Sequence, residues 1–107
     1  MEFLTDMVTT VPVGTSPAKV DELRAAEAAR AAELSKAGHL LRLWRPPLGP
    51  GEWRSIGLFK AANEAELHEL LASLPLHIWM KVTITPLTQH PNDPEYHTRQ
   101  GMDQHQD

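Results

Sequence analysis

A carboxylate stands where an apolar side chain is expected. From Pro17 to Ala37 the chain is dense in Ala, Glu, Arg and Leu, all strong helix formers. Read at i, i+3, i+4 and i+7, one stripe of that helix is Val20, Leu23, Glu27, Ala31 and Leu34. A carboxylate on the core side of a helix is costly when ionised and unpaired. It needs a basic partner, a raised pKa or a watered pocket beneath it. Each of these makes Glu27 a candidate general base or acid. The structural alternative is that Glu27 snorkels to the helix edge or pairs with Arg24 or Arg30.

Basic and hydroxyl groups follow in the next segments. Arg42 and Arg45 lie in one strand an odd number of residues apart, so they face opposite ways. Only one of them can look towards the helices and Glu27. Either is a candidate to hold a carboxylate in a two-point fork. His39 shares a face with Arg45 and is a candidate proton shuttle near neutral pH. Ser55 is a candidate donor to a carbonyl, and no base partner marks it as a nucleophile. Trp44, Trp53 and Trp79 read as core or interface residues, with Trp44 a candidate lining residue of the substrate site. His77, His90, His97 and His105 match no metal-ligand spacing, so no metal site is expected.

The elements that must position these groups are legible in order. Residues 3–11 read as a strand, and Ser16-Pro17 is an N-cap followed by proline at the first helical position. Gly38 stands where a left-handed cap ends the helix. Residues 39–45 and 53–60 read as strands joined by the Pro- and Gly-rich loop 46–51. Asn63 caps a second helix over 64–73, with Glu66 completing a capping box. Leu67, Leu70, Leu71 and Leu74 form its buried stripe, and Pro75 ends it. Residues 78–85 read as the last strand. The order is β-α-β-β-α-β, which predicts an α+β ferredoxin-like sandwich with both helices on one face of a four-stranded antiparallel sheet. Residues 1–94 form the domain and 95–107 a polar, flexible tail. Strict alternation places Leu40, Arg42 and Trp44 on one face and His39, Leu41, Leu43 and Arg45 on the other. Large side chains on both faces predict that two sheets pack face to face in a homodimer.

The 107 residues suffice for one small domain. With no cysteine there is no disulfide framework, zinc-thiolate site or thiol nucleophile. The net charge of −4 argues against a nucleic-acid partner. No window approaches the roughly 20 apolar residues of a membrane span, and no phosphate-binding glycine loop occurs. No signal peptide is readable, so a cytoplasmic protein is expected.

Taken in order, certain residues resemble a known family. They are Met1-Glu2-Phe3-Leu4 with Met7, Val11-Pro12-Val13, Pro17-Ala18-Lys19, Leu23 and Glu27, Gly38, and Leu43-Trp44-Arg45. Ser55, Leu67-His68, Leu74-Pro75-Leu76, Met80 and His90-Pro91 continue the series. Over residues 1–94 the chain resembles the muconolactone delta-isomerase family. The resemblance implies the same fold, assembled from dimers into a decamer. It implies a cofactor-free, metal-free isomerisation in the β-ketoadipate route of aromatic catabolism. There the ring double bond of muconolactone moves to give 3-oxoadipate enol-lactone. Glu27 stands where the family carries its proposed catalytic carboxylate. The chain departs from the family at Ala28, where Lys is usual, in the Pro-rich hairpin after Trp44-Arg45, at Trp53-Arg54, where an Asn-Tyr type pair is common, and at Gly57-Leu58-Phe59, changes expected at the pocket rim.

The reaction expected is carboxylate-mediated proton transfer by Glu27. Arg45, His39 and Ser55 are candidate donors to the lactone carbonyl, and Arg42 and Arg45 are candidate cations for the substrate carboxylate. Two alternatives remain at this point. One is a cofactor-free oxygenase or cyclase-like enzyme on the same barrel. The other is a non-catalytic small-molecule binding protein.

Overall fold

The computed structural model describes residues 1–49 and 52–96. The chain runs β1 (Glu2–Thr9), α1 (Pro17–Lys36), β2 (Leu40–Trp44), β3 (Trp53–Lys60), α2 (Glu64–Ala72), a 3₁₀ turn (Pro75–Trp79) and β4 (Met80–Leu87). The four strands form one antiparallel sheet in the order β2-β3-β1-β4. This is the ferredoxin-like α+β architecture expected from the sequence.

Local signals account for the helix ends. Ser16 Oγ accepts from the Lys19 N–H at 3.2 Å, and Pro17 fills the first helical position. At the other end Gly38 adopts φ +85°. Its N–H donates to Ser35 O at 3.0 Å, and the His39 N–H donates to Leu34 O at 2.9 Å. These paired bonds are a Schellman closure, which needs a left-handed residue at that step. In α2 the Asn63 side chain accepts from Glu66 N at 2.9 Å, and Glu66 Oε1 accepts from Ala62 N at 2.7 Å.

One face of the sheet meets the helices. Phe3 and Met7 of β1, Phe59 of β3 and Leu40 of β2 pack against Leu34 of α1 and Leu67 and Leu71 of α2. Within α1 the side chains withdrawn from solvent are Val20, Leu23, Glu27, Arg30, Ala31 and Leu34. The expected stripe is therefore the inward stripe, with Arg30 at its margin. Thr5 is fully buried opposite Gly57, and its hydroxyl donates to Gly57 O at 3.2 Å. The buried hydroxyl is thus satisfied within the sheet.

The other face carries Asp6, Arg54, Arg42 and Trp44 among apolar side chains such as Leu4, Ile56 and Leu58. Arg54 grips Asp6 with two bonds, Nε to Oδ1 at 2.9 Å and Nη2 to Oδ2 at 2.6 Å. The fork holds the Asp6 carboxyl below its ordinary pKa. Arg42 lies over the Trp44 ring, 5.1 Å from its centroid. No helix among the described residues is long and apolar enough to cross a membrane.

Several expected boundaries shift. β1 ends at Thr9, not residue 11, and β4 starts at Met80, because residues 75–79 wind into the 3₁₀ turn. Pro86 stays inside β4, which is an edge strand and tolerates a missing donor. The strict alternation expected for β2 fails. A bulge between Leu40 and Arg42 puts Leu40 opposite Phe59 and Leu43 opposite Gly57, both on the helix side. Arg42 and Trp44, opposite Leu58 and Ile56, take the outer side. Glu95 and Tyr96, expected in the flexible tail, belong to a run of turns in which Tyr96 N donates to Asp93 O at 2.9 Å. The remainder of that tail, 97–107, lies outside the described residues.

Gly57 leaves no room for a side chain. A Cβ there would lie 2.9 Å from Phe59 Cε1, 3.1 Å from Thr5 Oγ1 and 3.2 Å from Met7 Cε. Gly57→Ala should therefore destabilise the fold by about 1–3 kcal/mol. Urea unfolding should read this as a lower midpoint.

Candidate active site

Glu27 is placed by two elements far apart in sequence. On α1 it sits between Leu23 and Ala31 of the inward stripe, which turns it towards the 3₁₀ turn. That turn starts with Pro75, which has no N–H, and His77 N donates back to Leu74 O at 2.9 Å. The Leu76 N–H lies in the first turn, where a helix supplies no acceptor. It donates to Glu27 Oε1 at 2.9 Å. Among the described residues Glu27 forms no ion pair. The carboxyl is half-buried, and burial pushes its pKa above the ordinary 4.5. The Leu76 N–H and the charge of His77 pull more weakly the other way.

The ion-pair alternative for Glu27 is overturned by where Arg24 and Arg30 go. Arg30 bonds Glu33 Oε1 at 3.0 Å and Ser73 Oγ at 3.0 Å. Arg24 lies over the Trp53 ring, 5.1 Å from its centroid. Neither neutralises the carboxylate.

Glu27 lines a cavity of about 420 Å³ between α1, the β2–β3 hairpin and the 3₁₀ turn. Arg45 and Ser55 line the same cavity, as do Arg24, Trp53 and Ala28. Ser55 comes from the helix-facing side of β3, opposite Met7. Arg45 follows β2 directly, after the bulge has set the strand's facing. Leu43, Leu76 and Met80 supply apolar wall. The cavity therefore joins a carboxylate of raised pKa, guanidinium donors and a hydroxyl on an apolar floor. That set suits proton abstraction beside a carbonyl in a small anionic substrate.

The other candidates are placed elsewhere. His39 is fixed at the end of α1, with Nδ1 at 2.9 Å from Lys60 O. That carbonyl can only accept, so Nδ1 carries the proton in this bond. His39, Arg42 and Trp44 are absent from the cavity lining, and the last two occupy the outer sheet face. Trp53 and Ala28, expected at the pocket rim as departures from the family, do line the cavity, whereas sequence reasoning missed Arg24 as a lining residue. Its helical spacing, three residues before Glu27, was the available signal. The Leu76 N–H carries no sequence signal at all. Among the described residues no three His, Asp or Glu side chains converge on one point, so no set is assigned to a metal.

Known proteins resemble this chain in sequence and in fold. A family model described as muconolactone delta-isomerase matches residues 1–93. The muconolactone delta-isomerase of Cupriavidus pinatubonensis is 35% identical over 92 residues, covering 86% of this chain and 97% of its own. That of Rhodococcus opacus is 35% identical over 91 residues, covering 85% of this chain and 95% of its own. A crystal structure of muconolactone isomerase aligns with a TM-score of 0.78 at 31% identity, over 88% of this chain and 95% of that one. A 5-chloro-2-hydroxyhydroquinone dehydrochlorinase from Burkholderia phenoliruptrix shares the fold alone. Its TM-score is 0.60 at 15% identity, over 87% of this chain and 99% of its own. With the family model spanning nearly all of the described fold, and with relatives matched almost end to end, the chain belongs to the muconolactone delta-isomerase family.

Proposed function

We propose that this chain is an intramolecular isomerase that shifts the ring double bond of muconolactone, or of a similarly small lactone acid. Its product is the enol-lactone of 3-oxoadipate, and its setting is aromatic catabolism. One observation carries the reading. The carboxyl of Glu27, raised in pKa by burial and with no ion pair among the described residues, lines an apolar-floored cavity beside Arg45 and Ser55. Family membership supports the substrate class.

The chemistry balances within the substrate. The lactone is α,β-unsaturated, and its γ carbon bears the acetate arm. Removing the γ hydrogen as a proton leaves a dienolate, with charge spread onto the lactone carbonyl oxygen. Glu27 takes that proton as a carboxylate. The neutral carboxyl then returns it to the α carbon, and the double bond is left between the β and γ carbons. Proton and electron pairs stay within enzyme and substrate, so no redox partner enters. A base raised towards neutrality is better matched to both halves of the transfer. Arg45 donates to the carbonyl oxygen as charge develops there, and Ser55 provides a second hydrogen bond to the substrate. The Leu76 N–H keeps Glu27 Oε1 in place, leaving Oε2 as the oxygen that meets the ring.

The outer sheet face supports a homodimer. Among the described residues no helix packs over Leu4, Ile56 and Leu58 there, while Arg54–Asp6 and Arg42–Trp44 give the face specific polar features. Two such faces stack into one closed barrel, and dimers assemble further, to a decamer by the family resemblance. The compartment in this reading is the cytoplasm.

Glu27→Gln keeps an acceptor for the Leu76 N–H but removes the base. It should lower kcat for muconolactone by about 10²–10⁴-fold in an ultraviolet assay. Turnover equal to wild type would end the proton-shuttle role. In the wild type, the ascending limb of kcat/KM against pH should lie above pH 4.5, the ordinary glutamate value. Stability should move the opposite way to activity. Because the folded-state pKa of Glu27 is raised, its charge opposes folding as pH rises through that value. Glu27→Gln should therefore raise Tm at neutral pH, and the gain should vanish below the ordinary glutamate range. Separately, Ile56→Lys should lower the sedimenting mass towards a single chain.

A further inference from the structure

The substrate of the proposed reaction carries its own carboxylate, and the sequence offered Arg42 or Arg45 to hold it. The structure turns Arg42 to the outer face. Arg45 is placed by the proposal at the lactone carbonyl. Arg24, Arg45 and Arg54 line the cavity, and Arg54 is already forked by Asp6. Arg24 stands on α1 three residues before Glu27, so the two are neighbours on one side of the helix. Their axial offset is about 4.5 Å, at 1.5 Å rise per residue.

The guanidinium of Arg24 is held 5.1 Å from the centroid of the Trp53 ring. Among the described residues it forms no ion pair and no hydrogen bond. By contrast, Arg54 beside Trp53 is engaged by Asp6, and Arg30 by Glu33 and Ser73. An arginine stacked on an indole has its position fixed without spending its donors, because the ring binds its face and leaves the N–H edge available. The same stacking keeps the cation off Glu27. That matters, since an ion pair there would depress the carboxyl and weaken the base. Ala28, one residue beyond Glu27, also lines the cavity, and it adds no second charge at this wall.

We infer that Arg24, braced on Trp53, is the anchor for the substrate's acetate carboxylate. This rests on the isomerase reading above. The arm is attached to the γ carbon, the atom from which Glu27 takes the proton. A carboxylate two bonds from that carbon must find its cation roughly one helical turn from the base, and Arg24 is the guanidinium on that side. The pair thus sets the register of the ring over Glu27. It also selects lactones with a short acidic arm over neutral ones. Trp53 acts as a positioning residue through Arg24.

Comparing the acid with its methyl ester tests this. For the acid, Arg24→Met should raise KM on the order of 10- to 100-fold, the loss of charge-assisted hydrogen bonds, with a smaller effect on kcat. For the ester, already poor with wild type, Arg24→Met should change kcat/KM little. Trp53→Leu should reproduce the acid-selective rise in KM in part. Arg45→Met should instead lower kcat for acid and ester alike. Equal loss on acid and ester in Arg24→Met, or an unchanged KM for the acid, overturns the assignment. If wild type does not isomerise the lactone acid, the isomerase reading fails, and calorimetric titration decides the anchor separately. The saturated lactone acid should then bind wild type and bind Arg24→Met at least ten-fold more weakly. Equal binding, or none to wild type, overturns the anchor.

Discussion

A half-buried carboxylate can remain basic only if something holds it without neutralising it. Here the holder is a backbone amide. Leu76 N–H, left over in the first turn of a 3₁₀ segment, donates to Glu27 Oε1 across 49 residues of sequence. A neutral donor fixes the position of the carboxylate while lowering its pKa less than burial raises it. The nearby arginines are drawn elsewhere. Arg30 goes to Glu33 and Ser73, and Arg24 goes to the face of Trp53. Those competing attachments leave Glu27 with no ion pair among the described residues.

The sheet divides the labour. Its helix side contributes Ser55 and the apolar floor, and α1 closes over it with Glu27 and Arg24. Its outer side spends its charges on itself, with Asp6 forked by Arg54 and Arg42 stacked on Trp44. A single irregularity governs which groups fall on which side. Without the bulge after Leu40, alternation would carry Leu40 and Leu43 to opposite faces. With it, both close the cavity and core, while Arg42 and Trp44 are directed outward. The cost of the fold's tight centre is visible at Gly57, where Thr5, Met7 and Phe59 close in on the backbone.

Much of this was written in local patterns. The helical stripe through Val20, Leu23, Glu27, Ala31 and Leu34 depends only on a period of 3.6, and it singled out the misplaced carboxylate before any partner was known. Ser16-Pro17, Gly38 and Asn63 mark helix ends because their chemistry acts on backbone groups within a few residues. The βαββαβ order then follows from alternating periods and short connections. Residues 78 and 79 misled, since their large apolar side chains suit a strand, but Pro75 starts a 3₁₀ turn that absorbs them.

The one-dimensional pattern therefore determined the elements, their order and the identity of the unusual acid. Tertiary structure alone decided what surrounds that acid. The Leu76 amide has no side chain to announce it, and the pairing of Arg24 with Trp53 joins a helix to a strand across the fold. The choice between Arg42 and Arg45 turned on one extra residue in a strand. A bulge is a compromise between neighbouring strands, so it is set by pairing with β3 rather than by the residues of β2 themselves.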